Sequence, residues 1–191
     1  MGLSGAIGAG KSTALEALAR LGAQVLSTDA VVHDLYETAD LRDAVVARWG
    51  QAVAPGGIVD RAAVARMAFA SDEDRRWLEQ QLWPRVGARI AEWRERAAAT
   101  RPRPAALVVE VPLLFEAGME NAFDATLVVL AADELRAART DSRDHAAAEE
   151  REARQLPQME KARRATYTVT NDGTVAELEQ RLSAALGKLN G

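Results

Sequence analysis

Gly5-Ala6-Ile7-Gly8-Ala9-Gly10-Lys11-Ser12-Thr13 decides how the rest of the chain is read. The stretch matches G-x-x-x-x-G-K-[ST], a loop that cradles phosphates with its backbone amides. Glycine at positions 5, 8 and 10 permits the positive φ values that turn successive N–H groups inward, and no Cβ obstructs an anion. Residues 13–21 have helical propensity and an apolar stripe at Leu15, Leu18 and Leu21. The loop therefore feeds a helix N-terminus, whose dipole and free amides also favour negative charge. In such a site Lys11 lies over the outer phosphates as a point charge, and the Ser12 hydroxyl is a ligand for Mg²⁺. The competing reading is a glycine-rich turn capped by Ser12, which leaves the four fixed positions unexplained. Only Met1 to Ser4 precede the loop. A buried first strand usually runs about five or six residues, so a few N-terminal residues are expected to be missing.

Composition narrows the class. With 191 residues, 48% hydrophobic and 27% charged, the chain can build one sizeable core or two small ones. The longest apolar runs, such as residues 127–132, are too short to span a bilayer, no leader pattern opens the chain, and a cytoplasmic location is expected. Zero cysteines exclude a disulfide framework and a cysteine-based zinc site. A net charge of −4 argues against nucleic-acid binding driven by counterion release, so a polyanionic ligand must meet local positive charge. Lys11 is one of only three lysines among 24 basic residues, which makes it a poor candidate for a chance surface residue.

Along the chain, residues 23–27 read as a second strand, followed at once by Thr28-Asp29-Ala30 and a helix. This β-loop-α-β pattern indicates a parallel sheet and puts Asp29 just past a strand's carboxyl end, where open α/β sheets hold their ligands. A helix N-cap is the alternative role for Asp29. His33 shares a helix face with Asp29 and reads as a structural or solvent histidine. Residues 30–100 are mostly helical, with Asp60 capping residues 61–70, and a core stripe of Leu78, Leu82, Val86, Ile90 and Trp93 around a kink or break expected at Pro84. Such an insertion is expected to overhang the sheet edge that carries the glycine loop. Residues 105–111 form an apolar parallel strand, leaving Glu110 and Glu116 as candidates to orient a magnesium-bound water. Residues 124–130 make a fourth strand, residues 167–170 a fifth, and Asn171-Asp172-Gly173 a turn before a last amphipathic helix over residues 174–186. Arg136, Arg139 and Arg143 fall on or just after the helix that begins at Asp133, and the default reading of that charge run is a solvated surface. Arg139 and Arg143, four apart, are nevertheless candidates for stabilising charge in a phosphoryl transition state.

The glycine loop, Asp29 with His33, Val111-Pro112-Leu113-Leu114-Phe115-Glu116, Arg139 with Arg143, Gln155-Leu156-Pro157-Gln158 with Lys161, and Asn171-Asp172-Gly173 together resemble the dephospho-CoA kinase family over nearly the whole chain. The resemblance implies an α/β P-loop NTPase three-layer fold: a five-stranded parallel sheet, a helical CoA-binding insertion over about residues 30–100, and a small helical lid over about 136–165. The core takes up about 1–29, 101–135 and 166–191. It implies transfer of the γ-phosphoryl of ATP to the 3′-hydroxyl of dephospho-CoA, with ATP as co-substrate, Mg²⁺ as cofactor, and no nucleic-acid, membrane or obligate protein partner. Asp29 then matches the family base, and Lys11, Arg139 and Arg143 complete the catalytic set. Gly5, Gly8, Ala9, Gly10, Lys11, Ser12, Thr13, Arg139 and Asn171 form the nucleotide-binding set, with Asn171 beside the adenine and Ser12 on the metal. The chain departs from the family pattern at Ser27, where an acid is usual, and at Trp83, Glu110 and Thr166. The rivals are another small-molecule or nucleoside monophosphate kinase and a nucleotide-dependent switch. The chain has neither the Asn-Lys-x-Asp nor the Asp-x-x-Gly motif of GTPases.

Overall fold

The computed structural model describes residues 1–140 and 155–190. Five parallel strands, β1 (Gly2–Gly5), β2 (Gln24–Ser27), β3 (Leu107–Glu110), β4 (Thr126–Leu130) and β5 (Tyr167–Thr170), pair in the order β2-β3-β1-β4-β5. The chain's first strand is thus the middle of the sheet, and the glycine loop leaves from its centre. Eight helices accompany the strands among the described residues: α1 (Lys11–Arg20), α2 (Thr28–Tyr36), α3 (Ala39–Trp49), α4 (Arg61–Phe69), α5 (Asp72–Ala99), α6 (Asp133–Thr140), α7 (Gln158–Arg164) and α8 (Val175–Asn190).

Period-two alternation sorts β4 onto two faces. Leu127 and Val129 are fully buried in one cluster with Leu3, Leu18 of α1, and Leu178 and Leu182 of α8. Val128 is buried with Leu114 and Phe115 from the segment after β3, where Phe123 and Leu156 also pack. A parallel sheet covered on both faces needs such runs of apolar residues, and burying each leucine contributes about 1.5–3 kcal/mol.

By compactness the chain divides into Met1–Ser27 with Ala97–Gly191, which contains the sheet, and Thr28–Arg96, which is helical. Within the helical unit, Thr38 Oγ1 accepts from the Leu41 amide at 3.4 Å to start α3, and Asp60 caps α4 by accepting from the amides of Ala62 and Ala63. Arg48 pairs with Glu73 and Asp74, and the Trp49 ring meets that of Trp77 edge-on at 5.0 Å, so the end of α3 is pinned to the start of α5. Burial pushes the Tyr36 hydroxyl up to about 12, against the opposing charge of Arg61. Two expectations are corrected here. Of the kink or break expected at Pro84 the break is absent, since Pro84 lies inside one continuous helix, and the stripe from Leu78 to Trp93 is half-buried, with Ala97 the buried residue of α5.

Among the described residues, three carboxylates are held below their ordinary values. Hydrogen bonds from Ser71, Arg48 and Trp49 hold Asp74 below its ordinary value, Arg164 holds Glu120 down, and the reciprocal cap between Thr174 and Glu177 at the start of α8 does the same for Glu177. Because each is lowered by folding, its contribution is complete above the unfolded value and lost as pH falls through the folded one. The thermal midpoint is therefore expected to hold between pH 7 and pH 5 and to decline below about pH 4.5. Glu120→Gln should lower the midpoint at pH 7 and flatten the acid decline, and calorimetry across pH would contradict this with an acid limb as steep as the parent's.

Candidate active site

The loop between β1 and α1 closes on two glycines in the left-handed region, Gly8 at φ +75° and Gly10 at φ +91°. Gly10 occupies the cap position of α1 with no side-chain hydrogen bond, and exposed Ser12 is the helix's second residue. Ser12 therefore does not cap the helix, which removes the turn-and-cap reading. Gly5 is a correction of a different kind. It closes β1 without a positive φ, and its need for glycine is space, since a Cβ there would stand 2.6 Å from the Val129 carbonyl oxygen.

Four consecutive loop carbonyls are each held by a side chain. Lys11 Nζ donates to Ala6 O at 3.2 Å, Arg136 Nε to Ile7 O at 2.9 Å, Arg139 Nη1 to Gly8 O at 3.3 Å, and Asn171 Nδ2 to Ala9 O at 2.9 Å. In a planar trans peptide the N–H points opposite to its C=O. With their carbonyls claimed, the amides of Ile7, Gly8 and Gly10 are turned away from these donors, as an anion cradle requires. Arg139 also donates through Nη2 to Asn171 O at 3.1 Å, tying the loop to the turn after β5. That turn is fixed in its own right, since the Asn171 amide donates to Leu130 O at 2.7 Å and Asp172 Oδ1 accepts from the Ala132 amide at 2.8 Å. Arg143 lies outside the described residues.

At the carboxyl edge of the sheet, Glu110 ends β3, 6% exposed, in register with Ser27 of β2 and Leu3 of β1. Glu116 is different. Its Oε1 pairs with Lys161 Nζ at 2.8 Å and accepts from the Leu156 amide at 2.8 Å, while Lys161, fully buried, also donates to Pro112 O at 3.3 Å. Glu116 thereby holds α7 against the segment after β3 through one oxygen, while its buried Oε2 has no hydrogen-bond partner among the described residues, so Glu110 and Glu116 both keep the candidacy for orienting a metal-bound water. The sequence singled out Lys161 only within a family pattern, because its partners are 45 and 49 residues away. Removing one member of a buried pair strands the other, so Lys161→Met is expected to destabilise the chain by about 3–5 kcal/mol. Lys161→Met with Glu116→Gln should lose clearly less, and denaturant titrations giving additive losses would contradict the pairing.

Asp29 is the second residue of α2, which follows β2 without an intervening residue, and its carboxylate is exposed. It belongs to the helical unit, as does His33, whose Nδ1 meets Arg61 Nη1 and whose Nε2 lies 3.7 Å from Glu37.

A phosphate loop is shared by many kinases, and the acceptor side decides among them. The model of the dephospho-CoA kinase family matches residues 1–177. The chain belongs to the dephospho-CoA kinase family. It is an ATP-dependent kinase of coenzyme A biosynthesis. It is 40% identical to the dephospho-CoA kinase of Deinococcus radiodurans, over 99% of this chain and 91% of that protein, and 37% identical to that of a Synechococcus species, over 98% and 91%. A crystal structure of a Thermus thermophilus protein superposes with a TM-score of 0.80 at 34% identity, covering 100% of this chain and 97% of that one. The fold is shared more widely among P-loop kinases, as shown by a shikimate kinase from Acinetobacter baumannii at a TM-score of 0.52 and 15% identity, over 98% and 92%. No helix among the described residues is long and apolar enough to cross a membrane.

Proposed function

We propose that this chain moves the γ-phosphoryl of ATP onto the 3′-hydroxyl of dephospho-CoA, with the glycine loop as nucleotide cradle and Asp29 as base. The observation that supports the reading is the row of four claimed carbonyls from Ala6 to Ala9, which leaves loop amides turned the other way as donors for an anion. Thr13, half-buried in the first turn of α1, completes the nucleotide set with Gly5, Gly8, Ala9, Gly10, Lys11, Ser12, Arg139 and Asn171. Asn171 acts first as a brace on the loop and second as a wall beside the adenine. Arg139 acts from the end of α6, Arg143 lies outside the described residues, and residues 30–100 hold the CoA portion.

In the transfer, a bond forms between the 3′-oxygen and the γ-phosphorus as the bond from that phosphorus to the β,γ-bridging oxygen breaks. The hydroxyl proton passes to the Asp29 carboxylate, and ADP leaves with the electron pair of the broken bond. Asp29 orients the hydroxyl and takes the proton late, while Lys11 and Arg139 offset charge on the phosphoryl oxygens. Among the described residues no three His, Asp or Glu groups gather to hold a metal. A Mg²⁺ ion that arrives with ATP needs no such group, since it is held largely by phosphates and water with one or two protein ligands. Here the Ser12 hydroxyl would hold the ion, and Glu110 or Glu116 would orient a water bound to it. Bound there, Mg²⁺ supplies neutralising charge to the phosphate oxygens. The reaction belongs in the cytoplasm, to which a chain without cysteine is suited.

The test is direct. Protein, Mg²⁺-ATP and dephospho-CoA should yield a product heavier by one phosphoryl group, and an analogue lacking the 3′-hydroxyl should yield none. Phosphorylation of the analogue, or faster transfer to nucleoside monophosphates, would overturn the reading.

A further inference from the structure

We infer that Arg136 is a positioning residue for nucleotide binding, fixing the phosphate loop at Ile7 and joining it to the chain that returns through α7. The inference rests on the cradle reading above. As a charge run the sequence places Arg136 on a solvated surface, yet its side chain is only 15% exposed. Its Nε donates to Ile7 O at 2.9 Å, and its Nη1 pairs with Asp133 Oδ1 at 2.8 Å. Asp133 Oδ1 in turn accepts from Gln158 Nε2 at 3.3 Å, and the same amide nitrogen donates to Ala131 O at 3.0 Å. A run of hydrogen bonds thus links Gln158, Asp133, Arg136 and the Ile7 carbonyl, between residues 129 positions apart at the Arg136 end.

The backbone of Arg136 meets the loop as closely as its side chain does. A Cβ on Gly8 would stand 2.5 Å from Arg136 O and 2.9 Å from both Arg136 Cα and Thr140 Oγ1, and Thr140 Oγ1 donates to Arg136 O at 2.8 Å. The second half of α6, from Arg136 to Thr140, is therefore pressed against Gly8, and the guanidinium holds the next carbonyl upstream. Arg136 acts on the cradle from outside, through its carbonyl side. It contributes by having the amides turned before the nucleotide arrives, so that less ordering is charged against binding. Lysine cannot replace it fully, because an ammonium lacks the planar fork that reaches Ile7 and Asp133 together.

The experiment measures ATP and ADP binding by calorimetry and steady-state kinetics for Arg136→Met, Arg136→Lys and Asp133→Asn. Arg136→Met is expected to weaken ATP and ADP alike by about tenfold, with Arg136→Lys intermediate. At saturating ATP, kcat and the KM for dephospho-CoA should stay within about twofold of the parent. Asp133→Asn alone should cost about twofold, and combined with Arg136→Met it should add nothing, as for members of one network. If the parent itself fails to bind ATP, the cradle reading falls. If the parent binds and Arg136→Met binds as well as the parent, the inference about Arg136 falls. A loss ten times larger for ATP than for ADP would mean a direct contact with the outer phosphate and would overturn the positioning role. An equal loss for dephospho-CoA would mean general damage and would overturn it as well. Should the methionine variant not fold, the ATP-to-ADP parity in Arg136→Lys decides.

Discussion

Asp29→Asn is expected to lower kcat by about 10³-fold while leaving ATP affinity within about twofold. The amide is nearly isosteric but cannot accept the hydroxyl proton, so only interactions made in the transition state are lost. The placement supports this choice. Asp29 follows directly on the carboxyl end of β2, in the first turn of α2, with an exposed carboxylate. A carboxylate in a first turn also interacts favourably with the helix dipole, worth about 0.3–1 kcal/mol, so a small stability loss should accompany the kinetic one. The two effects separate cleanly, because a helix-capping role alone would shift the thermal midpoint and leave kcat near the parent's. Stopped-flow or steady-state rates at saturating substrates decide, and turnover within a few-fold of the parent would reject Asp29 as the base.

Gly10→Ala should lower ATP affinity by about 100-fold, for reasons that add. Gly10 sits at φ +91° and ψ 34°, where an L-residue costs about 1–2 kcal/mol. Its added Cβ would stand 2.1 Å from Asn171 Nδ2, the atom that donates to Ala9 O at 2.9 Å. Asn171 is 6% exposed, so the displaced amide and the abandoned carbonyl are left without good alternatives, at about 1–3 kcal/mol. Asn171→Ala in the same chain relieves the overlap but not the φ strain. The double variant is therefore expected to lose less than the sum of the two single losses, and calorimetric ATP titrations that add would contradict the contact.

The loop was legible because its chemistry is local: glycines, a lysine and a helix start within nine consecutive positions. Strands β2 to β5 were legible as short runs rich in apolar or β-branched residues, with ends misplaced by one or two residues where Ala23, Ala105 and Asp124 stay outside the ladder, whereas β1 occupies what the sequence shows only as a short stub ahead of the loop. Strand order was not legible, since nothing in residues 2–5 says that both β3 and β4 will pair with them. Nor was the outer half of the site. Arg136 reaches Ile7 across 129 positions and Lys161 reaches Glu116 across 45, and a charge run looks the same in sequence whether it faces water or a carbonyl. Gly5 was read correctly as necessary and for the wrong reason, because crowding against Val129 O is invisible until β1 and β4 are paired. The half-buried stripe of α5 shows the converse, a helical period that signals a face without saying how deeply it is covered.

The most direct test of the account is a crystal structure of the chain with a non-hydrolysable ATP analogue, Mg²⁺ and dephospho-CoA. The account predicts the triphosphate within the loop of residues 5–13 and an Asp29 carboxylate oxygen within about 2.6–3.2 Å of the 3′-hydroxyl. An Asp29 carboxylate beyond the reach of one water from that hydroxyl, or a triphosphate bound away from the loop, would contradict it.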